Sequence, residues 1–113
     1  MSARNVGATA RWIGKHHPET GYALVCTGRT TEDRACARHL DDLLRGAEPK
    51  AVDLVAGVLD GAGQHARSYA RKPAPDRVDL SAGLPFCRDV DRSGFALVGE
   101  VREDHVALAP MPS

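Results

Sequence analysis

Residues 21–36 read GYALVCTGRTTEDRAC, and this stretch decides the predicted fold. Residues 21–27 form a short apolar run, which is typical of a strand buried on both faces in a sheet between helices. A turn at Gly28 follows, and Thr30 or Thr31 is well placed to cap a helix. The stretch therefore predicts a strand that leads directly into a helix, as in a βα unit.

The helix that follows this turn has clear start and stop signals. Thr30-x-x-Asp33 resembles a capping box, in which the N-cap residue and the third helical residue exchange hydrogen bonds. Gly46 is placed to end the helix, because glycine adopts the left-handed conformation common after a last helical turn. One side of the predicted helix is apolar, and it carries Cys36, Leu40, Leu43 and Leu44.

Two further helices are predicted on either side of this unit. Residues 5–16 form the first, and Pro18 ends it because proline lacks a backbone N–H. The other follows Pro49, with apolar residues at three- and four-residue steps up to Tyr69. Three glycines within it cost about 1 kcal/mol each relative to alanine, so we expect tertiary packing to hold this helix.

The C-terminal part of the chain predicts a β-hairpin. Residues 95–101 and 106–109 are strand candidates, and the polar residues 102–105 between them indicate a turn. Short helical turns are predicted before the hairpin, around Leu80, Leu84 and Phe86. The fold class that follows is α/β, with layered helices around a small mixed sheet and a C-terminal β-hairpin. Residues 1–113 are expected to form a single domain.

Composition narrows the range of partners. The 15 basic and 15 acidic residues balance, which argues against nucleic-acid or membrane-surface binding and favours self-association. Aromatic residues make up only 4% of the chain, so a homo-oligomer or a partner chain is expected to complete a thin core. The three cysteines and the polar N-terminus predict reduced thiols in the cytoplasm.

The turn between the predicted strand and helix is the leading candidate site. Ligands in open α/β sheets bind at this edge, and the free N–H groups of a helix start attract anions. The candidate substrate-binding residues are Gly28, Arg29, Thr30 and Thr31. Mg²⁺ prefers carboxylate ligands, and the candidate metal-binding and catalytic residues are Glu32 and Asp33. The structural alternative is a simple turn that caps the helix, in which Glu32 and Asp33 only complement the positive end of the helix dipole.

Two other sets of residues carry alternatives. A zinc site would draw on Cys26, Cys36, His39 and Cys87, although their spacing lacks the close pairs usual in zinc sites. The alternative for these cysteines is burial as small apolar side chains. Asp79 and Asp91 are candidate metal or substrate ligands, or else caps and turn formers.

Five segments of the chain match one protein family in order. They are RNVGATARWI at 4–13, LVCTGR at 24–29, EDRACAR at 32–38, FCRDVDR at 86–92, and the pair ALV at 96–98 and LAP at 108–110. The first resembles a helix with the pattern N-A-x-A-V-A-x-(W/Y)-(L/I), and the second a strand end with V-x-V-C-A-G-x. The family they resemble is 2-phosphosulfolactate phosphatase, known from coenzyme M biosynthesis.

This resemblance covers roughly residues 4–110. It implies an α/β fold and Mg²⁺-dependent hydrolysis of a small acidic phosphate monoester. It also implies that Arg29 and the helix start hold the phosphate, while Glu32 or Asp33 holds the metal directly or through water. Full members of the family are roughly twice as long, and their N-terminal D-x-x-R-A-type segment and N-G-T turn have no counterpart here. The chain is thus predicted to correspond to the C-terminal portion of such a phosphatase.

Two further hypotheses remain open beside the phosphatase. A half-domain without catalysis would act as a ligand- or partner-binding module. A truncated gene product would have its true start upstream, where the missing motifs would be found.

Overall fold

The computed structural model describes residues 1–76, 79 and 81–113, so the predicted helical turn at Leu80 lies outside the described residues. The main elements are the helices α1 (Val6–His16), α2 (Thr31–Leu44), α3 (Ala51–Ala70) and α4 (Leu84–Cys87) and the strands β1 (Phe95–Val101) and β2 (Val106–Pro112). Short 3₁₀ turns precede α1 and α4 and follow α3. None of the described helices is both long and apolar enough to cross a membrane.

The C-terminal hairpin is formed as predicted. Strands β1 and β2 pair antiparallel from Phe95 opposite Pro112 to Val101 opposite Val106. The Arg102 N–H closes the turn by donating to the His105 carbonyl at 2.8 Å. One face of the hairpin packs against α1, which leaves Ala96 only 2% exposed. The α/β fold class, with helices packed around a C-terminal hairpin, is confirmed.

The strand predicted at residues 21–27 is wrong. Among the described residues the sheet is two-stranded and contains only the hairpin strands, and residues 17–30 have no regular secondary structure. Val25 is 83% exposed, whereas Leu24 packs against the core. An apolar run becomes a strand only where a neighbour pairs with its backbone, and nothing in the run itself supplies that neighbour.

Helix α2 begins and ends close to the predicted residues. Thr30 is its N-cap but makes no side-chain capping bond, so the capping-box prediction is wrong. Asp33 instead accepts a hydrogen bond from the Gly28 N–H at 2.6 Å, further back along the chain. At the other end Gly46 adopts a φ of 79°. Its N–H donates to the Leu43 carbonyl at 3.1 Å, which completes a glycine C-cap as predicted.

Helices α2 and α3 approach each other closely because α3 carries glycine at the crossing. A Cβ added at Gly57 would lie 2.3 Å from the Cβ of Ala35, and one added at Gly61 would lie 1.6 Å from Oε2 of Glu32. A larger residue at Gly57 would require a shift of the helix backbone, and one at Gly61 would have to displace the Glu32 carboxylate. The glycines that weaken α3 locally are therefore the residues that let it pack.

The core lies where α1, α2 and α3 meet, and its buried members are Ala3, Val6, Leu40, Leu54 and Val58. The start of α1 is tied to the C-terminal part of the chain, because Asp91 accepts a hydrogen bond from the Gly7 N–H at 2.6 Å. Asp79 accepts one from the Ser81 N–H at 2.9 Å. Both aspartates thus act as the cap and turn formers of the structural alternative.

Candidate functional site

Glu32 is the centre of the candidate site, and it lies where α2 crosses α3. Its Oε1 lies 2.8 Å from Nε2 of His65, so the two side chains form a hydrogen-bonded pair. Its Oε2 is buried and has no hydrogen-bond partner among the described residues. A buried carboxylate oxygen without a donor is costly, which is why such an atom points to a ligand or a functional role.

The environment of Glu32 keeps it ionised. Burial acts to raise the pKa of its carboxyl, but the polar groups around it, namely the Thr30 hydroxyl, the Glu32 backbone N–H and His65, outweigh that effect. The net result is a pKa below the ordinary value of 4.5. A negative charge is therefore present at the α2–α3 crossing at neutral pH.

The turn before α2 has most of its free groups engaged within the chain. The Gly28 N–H donates to Asp33, and the Thr31 N–H donates to Oε1 of Gln64 at 2.9 Å. The Thr31 hydroxyl donates to Oδ2 of Asp60 at 2.6 Å. Arg29 is exposed to solvent. The structure thus brings Thr30, Thr31, Glu32 and Asp33 together at the helix start, with Gly28 beside Asp33.

Two cavities meet at Glu32. The first, which we call the turn cavity, has a volume of about 520 Å³ and is lined by Arg4, Cys26, Thr27, Glu32 and Asp33, among others. The second, the helix cavity, has a volume of about 800 Å³. It is lined by Glu32 and His65 and by mostly apolar residues from α3 and α4. Glu32 therefore lies on the wall of both cavities, and apolar surface dominates the lining of each.

The cysteines do not form a recognisable metal centre. Cys26, Cys36 and Cys87 all line the turn cavity, but His39 is buried elsewhere, at 8% exposure. Burial raises the pKa of the Cys36 thiol, with Asp33 adding to the effect. Within the part of the chain that the structure describes, no three His, Cys, Asp or Glu side chains are arranged to hold a metal ion.

Sequence reasoning did not find His65, Asp60 or Gln64. All three lie on α3, and each contacts Thr31 or Glu32 at the start of α2. The available signal was the spacing of Gly57 and Gly61, which marks the side of α3 where another backbone approaches. Asp60, Gln64 and His65 continue along that side.

Comparisons with known proteins do not identify a family for this chain. Searches of protein-family models, curated proteins and solved structures found no match to this chain. The class that fold and site define is a small α/β domain with a half-buried carboxylate–histidine pair between two packed helices.

Proposed function

We propose that this chain is a 2-phosphosulfolactate phosphatase-like protein that hydrolyses a small acidic phosphate monoester with Mg²⁺. The observation that carries the proposal is the state of Glu32, whose carboxylate is ionised, paired on one oxygen and unpartnered on the other. This residue belongs to the EDRACAR segment that resembles the phosphatase family, and it lies on the wall of a cavity beside Asp33.

The residues present fit a magnesium ion. Mg²⁺ usually binds through one or two carboxylates, with substrate phosphate and water completing its coordination. Glu32 and Asp33 both line the turn cavity, so their carboxylates are the candidate ligands. A site of this kind does not require three protein ligands. Bound Mg²⁺ would neutralise phosphate charge and lower the pKa of a water molecule.

The chain's own residues would position the phosphate and move protons. Arg29 is exposed at the turn, where its guanidinium can reach a phosphate with two parallel hydrogen bonds. His65 lines the helix cavity with Nε2 held by Glu32, which leaves Nδ1 as the ring nitrogen for proton transfer. In the overall reaction water adds to phosphorus, the ester P–O bond breaks, and the leaving alkoxide takes up a proton.

The decisive experiment is phosphate release from 2-phosphosulfolactate by the full chain in the presence of Mg²⁺. We expect turnover that Glu32→Gln abolishes and that chelation of Mg²⁺ removes. The matched control is Glu48→Gln, the same change at an exposed position between α2 and α3, which should retain activity. Absence of turnover at high protein concentration, with and without a chain supplying the family's N-terminal half, would sink the phosphatase proposal.

A second candidate function is ligand binding without catalysis. The engaged N–H groups of Gly28 and Thr31 favour it, because a phosphate at this helix start would have to displace protein acceptors. The large apolar helix cavity favours it as well, since such cavities are typical of small-molecule binding sites. Calorimetric binding of 2-phosphosulfolactate without phosphate release would support this candidate over the phosphatase.

A cytoplasmic location is part of the proposal. The odd count of three cysteines supports this location, because unpaired reduced thiols are typical of a reducing compartment. The expected partners are a small phosphorylated acid and either a second copy or a chain that supplies the N-terminal half of the phosphatase family.

A further inference from the structure

The outer face of the C-terminal hairpin is an uncovered apolar surface. We define this outer face as the side turned away from α1. It is made of Phe95, Leu97, Gly99, Val101, Val106, Leu108, Pro110 and Pro112. Every one of these residues is exposed, and none carries a charge. The exposed fraction reaches 82% for Val101 and 66% for Leu108.

The shape of the outer face suits packing against another sheet. Gly99 lies near its centre and contributes no side chain. A Cβ added there would lie 3.0 Å from Val106 and 3.6 Å from Leu108, so these two side chains already lean over the glycine. The result is an even apolar layer, and sheets that pack face to face bury layers of this kind.

We propose that a second copy of this chain docks on the outer face, so that two hairpins pack face to face in a twofold dimer. This proposal is independent of the phosphatase activity. A twofold interface places the same patch on both sides, so the patch must be complementary to itself. An uncharged apolar face meets that requirement because no like charges oppose each other.

The size of the face also fits a dimer. At the exposures seen here, the face presents on the order of 600 Å² of apolar surface, which is the upper end for a patch on a monomer. Two copies would then cover about 1,200 Å² in total, which reaches the lower limit of specific interfaces. Charged residues of both signs at the turn, Arg102, Glu103 and Asp104, would form the polar rim usual around such a core.

The charge balance of the whole chain also favours a second copy as the partner on the outer face. Its 15 basic and 15 acidic residues cancel, so two copies meet without net repulsion. A two-stranded hairpin is marginally stable by itself, and covering its second face would complete its burial between α1 and the other copy. A second copy thus supplies what the hairpin lacks.

The test is the oligomeric state of the full chain, measured by light scattering and sedimentation across a wide range of concentrations. We expect the wild-type chain to exceed its monomer mass of 12.1 kDa and approach the mass of a dimer. Leu108→Lys should weaken dimerisation by about tenfold or more, because it buries a charge against the apolar partner. Val52→Lys, which introduces the same residue at an apolar position of α3 that is also 66% exposed, should leave the dimer intact.

Leu97→Ser provides a second variant that adds no charge and should weaken the dimer in the same direction. Circular dichroism establishes that each variant is folded. A wild-type chain that remains monomeric at all concentrations overturns the proposal, even if it binds another protein through this face. A dimer that neither outer-face variant weakens would overturn the assignment of the interface to the hairpin.

Discussion

The α2–α3 crossing and the outer face of the hairpin are both built from small and aliphatic residues, yet they end in opposite states. At the crossing, Gly57 fits against Ala35 with no space for a methyl group, and Leu54 nearby is only 2% exposed. On the outer face, Val101 and Leu108 are mostly exposed to solvent. Apolar composition alone therefore does not decide burial in this chain.

The difference lies in what each region has to pack against. The crossing has two long helices whose small residues let the backbones approach. At one end of it, Thr31 and Glu32 form hydrogen bonds with Gln64 and His65. Among the described elements, α1 packs against one face of the hairpin, and the residues of its other face are exposed. The crossing should therefore respond strongly to changes of volume, whereas the isolated outer face should respond weakly.

Leu54→Ala should produce the largest loss of stability. Removing a buried leucine side chain costs about 2–5 kcal/mol, since the transfer free energy is lost and a cavity remains. Leu97→Ala is the matched control, because Leu97 is 48% exposed on the outer face. Urea denaturation at low protein concentration should show a loss several times larger for Leu54→Ala. Equal losses would mean that the two regions do not differ in packing.

Gly57→Ala should come next, with a net loss of about 1–2 kcal/mol. Overpacking costs about 1–3 kcal/mol, and the better helix propensity of alanine offsets up to about 1 kcal/mol of it. The control is Gly63→Ala, where an added Cβ meets only the mobile end of Arg67 at 3.4 Å. That change should stabilise α3 by about 0.5–1 kcal/mol.

A rescue variant separates steric conflict from other effects at position 57. Ala35→Gly removes the methyl group that the new Cβ would meet. The double variant should therefore lose less stability than the sum of the two single variants, as contacting residues do in a double-mutant cycle. Strict additivity would contradict the close contact of α2 and α3.

Local sequence signals predicted the elements that depend on local chemistry. The helical periodicity, Pro18 and Gly46 placed α1 and α2 within a residue or two, and the polar turn at 102–105 placed the hairpin. The apolar run at 21–27 misled because a strand needs a pairing partner elsewhere in the chain. Nothing within the run distinguishes a paired strand from an irregular segment that packs one leucine on the core.

Only part of the candidate site could be predicted from the sequence, because the rest depends on contacts between distant parts of the chain. Glu32 and Asp33 stand out at a helix start, where acidic side chains and a turn have a local chemical logic. His65 lies 33 residues further along the chain, and its contact with Glu32 exists only because the glycines of α3 let the helices cross closely. Such a pairing follows from packing, which periodicity does not specify.

Glu32→Gln should give a smaller, pH-dependent effect at the polar end of the crossing. The folded-state pKa of Glu32 lies below its ordinary value of 4.5, because hydrogen bonds outweigh the effect of burial. The ionised carboxylate therefore stabilises the fold above the unfolded-state pKa. This contribution is lost as the pH falls through the folded-state pKa. In thermal denaturation, the Tm of the wild type should exceed the Tm of Glu32→Gln by the largest margin at neutral pH. The margin should be smallest near pH ~3. A difference that stays constant over this range would contradict the lowered pKa.

Arg102→Gln should have the smallest effect on stability, because the ion pair of Arg102 lies at the exposed turn of the hairpin. Arg102 and Glu100 lie 2.8 Å apart at the turn of the hairpin, with side chains 53% and 67% exposed. Exposed pairs contribute about 0–1 kcal/mol, since solvent screens the charges and two long side chains must be ordered. Urea denaturation should detect less than about 0.5 kcal/mol of change. A larger loss that grows with protein concentration would show that this pair lies at the rim of an assembled interface, because only association makes stability depend on concentration.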